Sequence, residues 1–191
     1  MTAWYEVIIE GREEAIREIL PGIASDGDAP LWGEELDLHA ATLPERLLEL
    51  LGARTHHLLF VPASQIGALT RTLQAKPEIR LERVREILGG RFSFHAKVYS
   101  QETAALIRAA LHALPPEVRL EDFEEDEKVD PDAHGVELYT PVHEYTYHAS
   151  GRLTGLPPGL FEVHRKLQAL DFVHQDRLEL EGREVEGAGL E

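Results

Sequence analysis

The sequence predicts an α+β fold of mixed or antiparallel sheets that carry helices on one face. Three patterns support this prediction. Residues 57–61 are an uninterrupted apolar run, which is typical of a strand covered by other layers. Residues 91–99 alternate between apolar and polar side chains, as a strand with one buried face does. Residues 64–74 and 100–114 have helical periodicity, and each of these segments starts at a serine and ends shortly before a proline.

The middle of the chain, residues 55–128, has the element order of a ferredoxin-like domain. It gives strand, helix, strand, strand, helix and strand, which is the split βαβ pattern. A pair of glycines at 89–90 predicts a tight hairpin between a strand over 79–88 and the strand over 91–99. The alternation of the first of these strands breaks near residues 82–83, where we expect a β-bulge.

The flanking segments, 1–54 and 129–182, are predicted to form an outer α+β unit, followed by a frayed tail over 183–191. The predicted outer elements are strands over 4–10, 31–39, 136–148 and 172–180 and helices over 13–20, 42–51 and 160–170. The ferredoxin-like architecture is therefore expected to be duplicated, with one unit inserted between the halves of the other. A tandem arrangement of two α+β halves that share strands is the competing topology.

Two segments are interpreted as connections. Residues 122–132 are strongly acidic and contain a proline, which favours a solvated connector. Residues 151–159 contain three glycines and two prolines, which favours a flexible loop before the helix over 160–170.

Composition restricts the function classes. The chain has 35 acidic and 19 basic residues and a formal net charge of −16, which disfavours nucleic acid as a partner. The sequence starts with no basic region followed by an apolar one, as a leader peptide would. Its apolar runs are much shorter than the about 20 residues that a membrane helix needs, so we expect a soluble protein without a membrane partner. The absence of cysteine excludes disulfides and suits the cytoplasm. Few thermolabile residues and abundant charge resemble a thermophile composition.

The segment around residues 139–148 is the main candidate for a binding surface. Tyr139, His143, Tyr145 and Tyr147 are expected on one face of an extended segment. Tyrosine and histidine rings that are half apolar and half polar suit a ligand pocket or an oligomer interface. An exposed sheet face with ordinary cross-strand pairs is the alternative interpretation.

Arg152 adds a possible anion site. It lies in the glycine-rich segment before the helix over 160–170, and the first amides of a helix are available to a phosphate or carboxylate. The segment has neither a P-loop nor a dinucleotide fingerprint, so an ordinary loop is the competing interpretation.

A metal site is the second interpretation of the histidines. His143, Glu144, His148, His174 and Asp176 come from two extended segments that neighbouring strands would bring together. His174 and Asp176 share one strand face, where an ion pair is the structural alternative.

The sequence therefore favours a cytoplasmic protein that binds a small anionic ligand or assembles into homo-oligomers. A metal-dependent hydrolase or isomerase is the alternative. An RNA-binding ferredoxin-like domain is disfavoured by charge and by the missing aromatic pattern. No cofactor is identified, and the sequence leaves open whether the protein is an enzyme.

Overall fold

The computed structural model describes residues 3–23, 31–32, 56–133 and 135–185. Contacts divide the chain into two compact units, one of Met1–Leu88 with Leu180–Glu191 and one of Gly89–Glu179. The predicted boundaries, 1–54 with 129–182 and 55–128, differ from this division. No helix among the described residues is long and apolar enough to cross a lipid bilayer.

The described residues form ten strands and four helices, and the longer strands pair antiparallel, which confirms the α+β class. The strands are β1 (Trp4–Glu10), β2 (Leu31–Trp32), β3 (His56–Pro62), β4 (Arg80–Val98), β5 (Val118–Val129), β6 (Gly135–Glu137), β7 (Thr140–Val142), β8 (Tyr145–Gly155), β9 (Val173–Gln175) and β10 (Glu179–Glu184). The helices are α1 (Glu13–Ile23), α2 (Ala63–Gln74), α3 (Gln101–His112) and α4 (Gly159–Gln168).

The first unit has the strand order β2-β3-β1-β4, and β10 also pairs with β4. β1 is central in this order and is apolar enough to be covered, with four consecutive buried residues at 6–9 of which three are aliphatic. One face of its sheet packs with residues of α1 and α2 into a buried aliphatic core. That core contains Val7, Ile9, Ile16, Ile19, Leu59, Val61, Leu69, Ile79 and Val84.

The second unit has the strand order β5-β8-β4-β9, in which β4 contributes its residues from Gly89 onward. The predicted alternation of β4 is confirmed, because every second residue over 92–98 is buried. Helices α3 and α4 supply further buried side chains, including Ile107, Leu111, Leu160 and Leu167.

The predicted hairpin at Gly89 and Gly90 is wrong, because β4 runs without interruption from Arg80 to Val98. Neither glycine has a positive φ, and Gly90 pairs with Gly155 of β8 as an ordinary strand residue. The predicted bulge is confirmed. Ile8 pairs with Arg83 and Ile9 with Leu81, which leaves one extra residue at position 82.

The predicted acidic connector is also wrong. Residues 122–129 belong to β5, which is the last strand in its sheet order and pairs with β8. An edge strand is as exposed as a loop, so its carboxylates stay solvated while its backbone pairs on one side. Asp122 has a φ of 51° and lies at the register shift between Glu121 and Glu124.

Other boundaries differ as well. Residues 136–148 form the β6–β7 hairpin and the start of β8 rather than one extended strand. Gly151 and Gly155 lie in β8, so the predicted glycine loop is reduced to the few residues before α4. The predicted last strand is divided into β9 and β10, and β10 includes the first residues of the predicted tail. Residues 33–39, the helix over 42–51 and the tail over 186–191 lie outside the described residues.

Candidate functional site

Tyr145 and Tyr147 lie on the same face of β8, as predicted from their spacing. Tyr147 is fully buried and Tyr145 is nearly so. The next residue, His148, lies on the opposite face of the strand and is exposed. Burial of a tyrosine is favourable when its hydroxyl finds a polar partner.

The partners of both hydroxyls come from the acidic edge strand β5. Tyr145 Oη donates to Glu127 Oε1 at 2.7 Å, and Tyr147 Oη donates to Glu125 Oε2 at 2.9 Å. Each carboxylate lies two residues away from the position directly opposite its tyrosine, so these are diagonal cross-strand contacts.

Arg108 of α3 completes the group, which we call the tyrosine–carboxylate cluster: Arg108, Glu125, Glu127, Tyr145 and Tyr147. Its guanidinium donates to both carboxylates at 3.4 Å. It also lies over the Tyr147 ring, with Cζ 4.5 Å from the ring centroid, in cation–π geometry. The cluster therefore joins the helix to two strands of the second unit.

The electrostatics of the cluster keep both tyrosine hydroxyls protonated and the Glu127 carboxylate ionised. Burial and then the hydrogen bond to Glu125 raise the pKa of Tyr147 to about 12. The hydrogen bond from Tyr145, and then that from Arg108, lower the pKa of Glu127. At neutral pH the tyrosines are neutral donors and Glu127 is a charged acceptor. Both hydroxyls are thus engaged within the protein, which is the behaviour of a structural network.

The other residues of the predicted binding face lie elsewhere. Tyr139 is in the turn of the β6–β7 hairpin and is almost completely exposed. His143 precedes β8 and stacks on Tyr99, with ring centroids 3.7 Å apart. The structure therefore brings Tyr145 and Tyr147 together and separates Tyr139 from their shared buried face.

Arg152 lies in strand β8 rather than in a loop, and it forms an exposed ion pair with Asp122 at 3.1 Å. The N-terminal end of α4 has internal partners. The Leu160 amide donates to the Leu156 carbonyl, and the Glu117 side chain covers Gly159 so closely that a β-carbon there would overlap its carboxylate. A carboxylate is favourable at a helix N-terminus. The position predicted for an anion is thus occupied by a glutamate of the chain itself.

The five residues of the predicted metal site do not provide a triad. His174 of β9 stacks on His95 of β4 with ring centroids 5.0 Å apart, and the Asp176 amide donates to the Ser93 carbonyl. His148 is exposed on β8, and the carbonyl of Glu144 accepts from Asp130.

Among the described residues, the group whose ligand atoms approach one another is Glu10, His56 and Glu82. The sequence pattern does not predict these three as a group, because they meet only through the pairing of distant strands. It does not predict Glu125 and Glu127 as partners of the tyrosines either, since their available signal is an acidic run, which is also typical of a connector.

No protein-family model matches the chain, and no curated protein sequence matches it. Among solved structures, the chain has a low similarity to an unknown protein from Galdieria sulphuraria, at 12% identity and a TM-score of 0.31, over 97% of this chain and 99% of that one. The CRISPR-associated protein Cas6e from Escherichia coli strain K-12 has 11% identity and a TM-score of 0.28, over 91% of this chain and 99% of that one.

Proposed function

We propose that this protein is a cytoplasmic assembly protein, built from two ferredoxin-like units in tandem, that associates with copies of itself through the β6–β7 hairpin. The fold part of this proposal is supported by strand order. In the first unit β3 separates β1 from β2, and in the second β8 separates β4 from β5. Among the described residues, and with the inserted β6–β7 hairpin of the second unit set aside, these strands follow a strand–helix–strand–strand–helix–strand succession, which is the split βαβ arrangement.

The fold alone names no activity, because function depends on the side chains of a particular site. Two sequence-based alternatives concern the aromatic segment: a ligand pocket and an oligomer interface. The hydroxyls of Tyr145 and Tyr147 are engaged by Glu127 and Glu125, which disfavours a ligand pocket at these two tyrosines and leaves an interface at the exposed part of the segment.

The observation that carries the proposal is the exposure of the hairpin. The side chains of Val136, Leu138 and Tyr139 are 69%, 88% and 99% exposed. Among the described strands, β6 and β7 pair only with each other. Contiguous exposed apolar residues on a soluble protein commonly mark an interaction site.

The backbone of the turn supports the same interpretation. Leu138 and Tyr139 have φ values of 49° and 69°, in the left-handed region that favours glycine and asparagine. Large side chains are costly there, and strained residues of this kind cluster at functional segments. We infer that these two residues provide the contact at the tip of the hairpin.

A second copy is the partner that fits the charge of the molecule. The chain has a net charge of −16, so most surfaces of two copies repel each other. Residues 135–142 contain a single charged side chain, Glu137. Two hairpins that pack against each other bury apolar surface at a self-complementary contact, as in the common twofold dimers.

The test is the oligomeric state of a variant that keeps the turn. The double variant Leu138→Asn with Tyr139→Gly removes both apolar side chains and installs the residue pair that this type of turn prefers. We expect the parent protein to be a dimer or larger by light scattering after gel filtration, and the double variant to be a monomer.

Leu106→Gln is the matched control, because Leu106 is also a large apolar residue and is 54% exposed on α3. It should leave the oligomeric state unchanged. A parent protein that stays monomeric up to the highest workable concentration would refute the proposal, and so would an equal loss of assembly in the control.

A further inference from the structure

We propose that Glu10, His56 and Glu82 form a binding site for a divalent transition-metal ion in the first unit. This inference does not depend on the proposed assembly function. It rests on three adjacent strands that each supply one ligand.

The backbone explains how these residues meet. Glu10 is directly opposite His56 in the antiparallel pairing of β1 with β3, so the two side chains lie on the same face of the sheet. On the other side of β1, the bulge in β4 makes Glu82 the extra residue between the partners of Ile8 and Ile9. A bulge redirects the side chain of its extra residue, which brings Glu82 to the other two.

The distances are close to those of a metal site. One ligand atom from each residue lies within 4.8 Å of the other two. Bonds of about 2.0–2.2 Å to a common ion place neighbouring ligand atoms roughly 3–4 Å apart. Side-chain rotations that move the ligand atoms by about an ångström would therefore complete the coordination, without movement of the paired strands.

The ligand set selects the class of ion. One imidazole with two carboxylates suits Zn²⁺, Mn²⁺, Fe²⁺ or Co²⁺, whereas Mg²⁺ and Ca²⁺ prefer oxygen ligands alone. His56 is buried, Glu10 is half-buried and Glu82 is exposed, so the site opens to solvent on the Glu82 side. Water or a second ligand can occupy the remaining positions there. The acidic character of the whole chain also raises the local concentration of cations.

One cationic side chain opposes this use. Arg80 is directly opposite Glu10 in the pairing of β1 with β4 and is exposed. Its positive charge beside Glu10 repels a metal ion at the site. Removal of that charge should strengthen metal binding, which gives the proposal a second prediction of opposite sign.

The experiment is calorimetric titration of zinc chloride and, separately, manganese chloride into untagged protein that has been dialysed against a chelator and then against plain buffer. We expect one ion per chain and a rise in melting temperature with added metal. Glu82→Gln should weaken the affinity by at least about tenfold. Arg80→Gln should strengthen it severalfold.

Glu78→Gln is the matched control. Glu78 is also an exposed glutamate, and its substitution removes the same negative charge four residues away from Glu82. Since Glu82 is exposed at a bulge, its variant should fold like the parent, and circular dichroism checks this. The proposal is overturned if the parent binds neither ion, or if Glu82→Gln and Glu78→Gln weaken binding equally, which would indicate a general attraction of cations to an acidic protein.

Discussion

Among the described residues, the two units have analogous strand orders, β2-β3-β1-β4 in the first and β5-β8-β4-β9 in the second, but they place their charged side chains differently. The first unit buries an ion pair, in which Arg85 Nη2 donates to Glu6 Oε2 at 2.8 Å between directly opposite residues of β1 and β4. The second unit places its charges at a sheet edge, where Arg108 meets Glu125 and Glu127 beside solvent.

The buried pair is incompletely satisfied. Glu6 Oε1 and Arg85 Nε have no hydrogen-bond partner among the described residues, and Gly182 of β10 lies against the Arg85 side chain. Burial raises the pKa of Glu6, against the lowering effect of Arg85. Two charges taken out of water compensate each other only while both are present.

Because of this difference, the two ion-pair sites should respond differently to the loss of a charge. In the first unit, removal of one partner leaves a buried charge without compensation. In the second unit, water replaces a lost partner at the edge, and exposed ion pairs contribute about 0–1 kcal/mol. The β1–β4 pairing of the first unit is thus expected to be sensitive to loss of one partner of its buried ion pair, and the β5 edge of the second unit tolerant of such a loss.

Arg85→Ala should cause the greatest loss of stability. It leaves the Glu6 carboxylate buried and unpaired, so we expect the free energy of unfolding in urea to fall by about 3–5 kcal/mol. A double variant, Glu6→Leu with Arg85→Met, removes both charges and should recover most of this loss.

The pH dependence of Arg85→Ala has a definite sign. Burial raises the pKa of Glu6 in the folded state, and the loss of Arg85 raises it further. The penalty is therefore absent below the unfolded pKa of about 4.3 and fully present above the folded pKa. Arg17→Ala, which breaks the exposed pair with Glu13, is the control and should change stability by less than about 1 kcal/mol. Equal losses in the two arginine variants would contradict the assignment of the larger effect to burial.

The second expected effect concerns backbone packing in the second unit. A β-carbon at Gly155 would overlap the Glu117 carbonyl and lie 3.0 Å from Val118 Cα, both of which are backbone atoms. We expect Gly155→Ala to destabilise the protein by about 1–3 kcal/mol through overpacking. Gly89→Ala is the control, because no atom lies within 4 Å of the added β-carbon and its φ is not positive. Its free energy of unfolding should stay constant or rise slightly.

These glycines also show what sequence can and cannot predict. Gly89 and Gly90 permit a hairpin, and local composition contains no information on whether β8 continues to pair beside them. The alternation over 92–98 and the bulge near Glu82 were predicted correctly, because both depend on the spacing of residues within one strand. The acidic run of β5 was misassigned because charge reports solvent exposure, and an edge strand shares that exposure with a loop.

The candidate sites follow the same rule. The shared face of Tyr145 and Tyr147 could be predicted from period two, whereas their partners Glu127 and Glu125 depend on the register between β5 and β8. Glu10 and His56 stand 46 positions apart, and no local pattern relates them.

The third expected effect is smaller and lies in the tyrosine–carboxylate cluster. Tyr147→Phe removes the hydroxyl that donates to Glu125, and we expect a loss of about 0.5–1.5 kcal/mol near neutral pH. Because the folded pKa of Tyr147 is raised to about 12, its contribution is complete below pH about 10 and is lost as the pH rises through 12. Urea unfolding between pH 8 and pH 11 should therefore show a steeper alkaline decline in the parent than in Tyr147→Phe. Identical pH profiles would show that the hydroxyl is not stabilised by its surroundings.

A further, small difference in stability is expected between the N-terminal ends of one helix in each unit. Sequence gives Ser64 and Ser100 the same signal, a serine at the start of a helical pattern, and predicts that both cap a helix. In the second unit Ser100 Oγ accepts from the Thr103 amide at 3.1 Å. In the first unit α2 begins at Ala63, one residue before Ser64, and its N-cap position is Pro62 without a side-chain hydrogen bond.

Ser100→Ala should therefore cost about 1 kcal/mol in the free energy of unfolding, since it removes the acceptor of an otherwise unpaired amide. Ser64→Ala should cost nothing or stabilise slightly, because alanine is the better residue inside a helix. The two serine variants differ in nothing but position, so their urea midpoints measured side by side test the assigned start of each helix. A loss in Ser64→Ala as large as that in Ser100→Ala would place the start of α2 at the serine, where the sequence alone had predicted it.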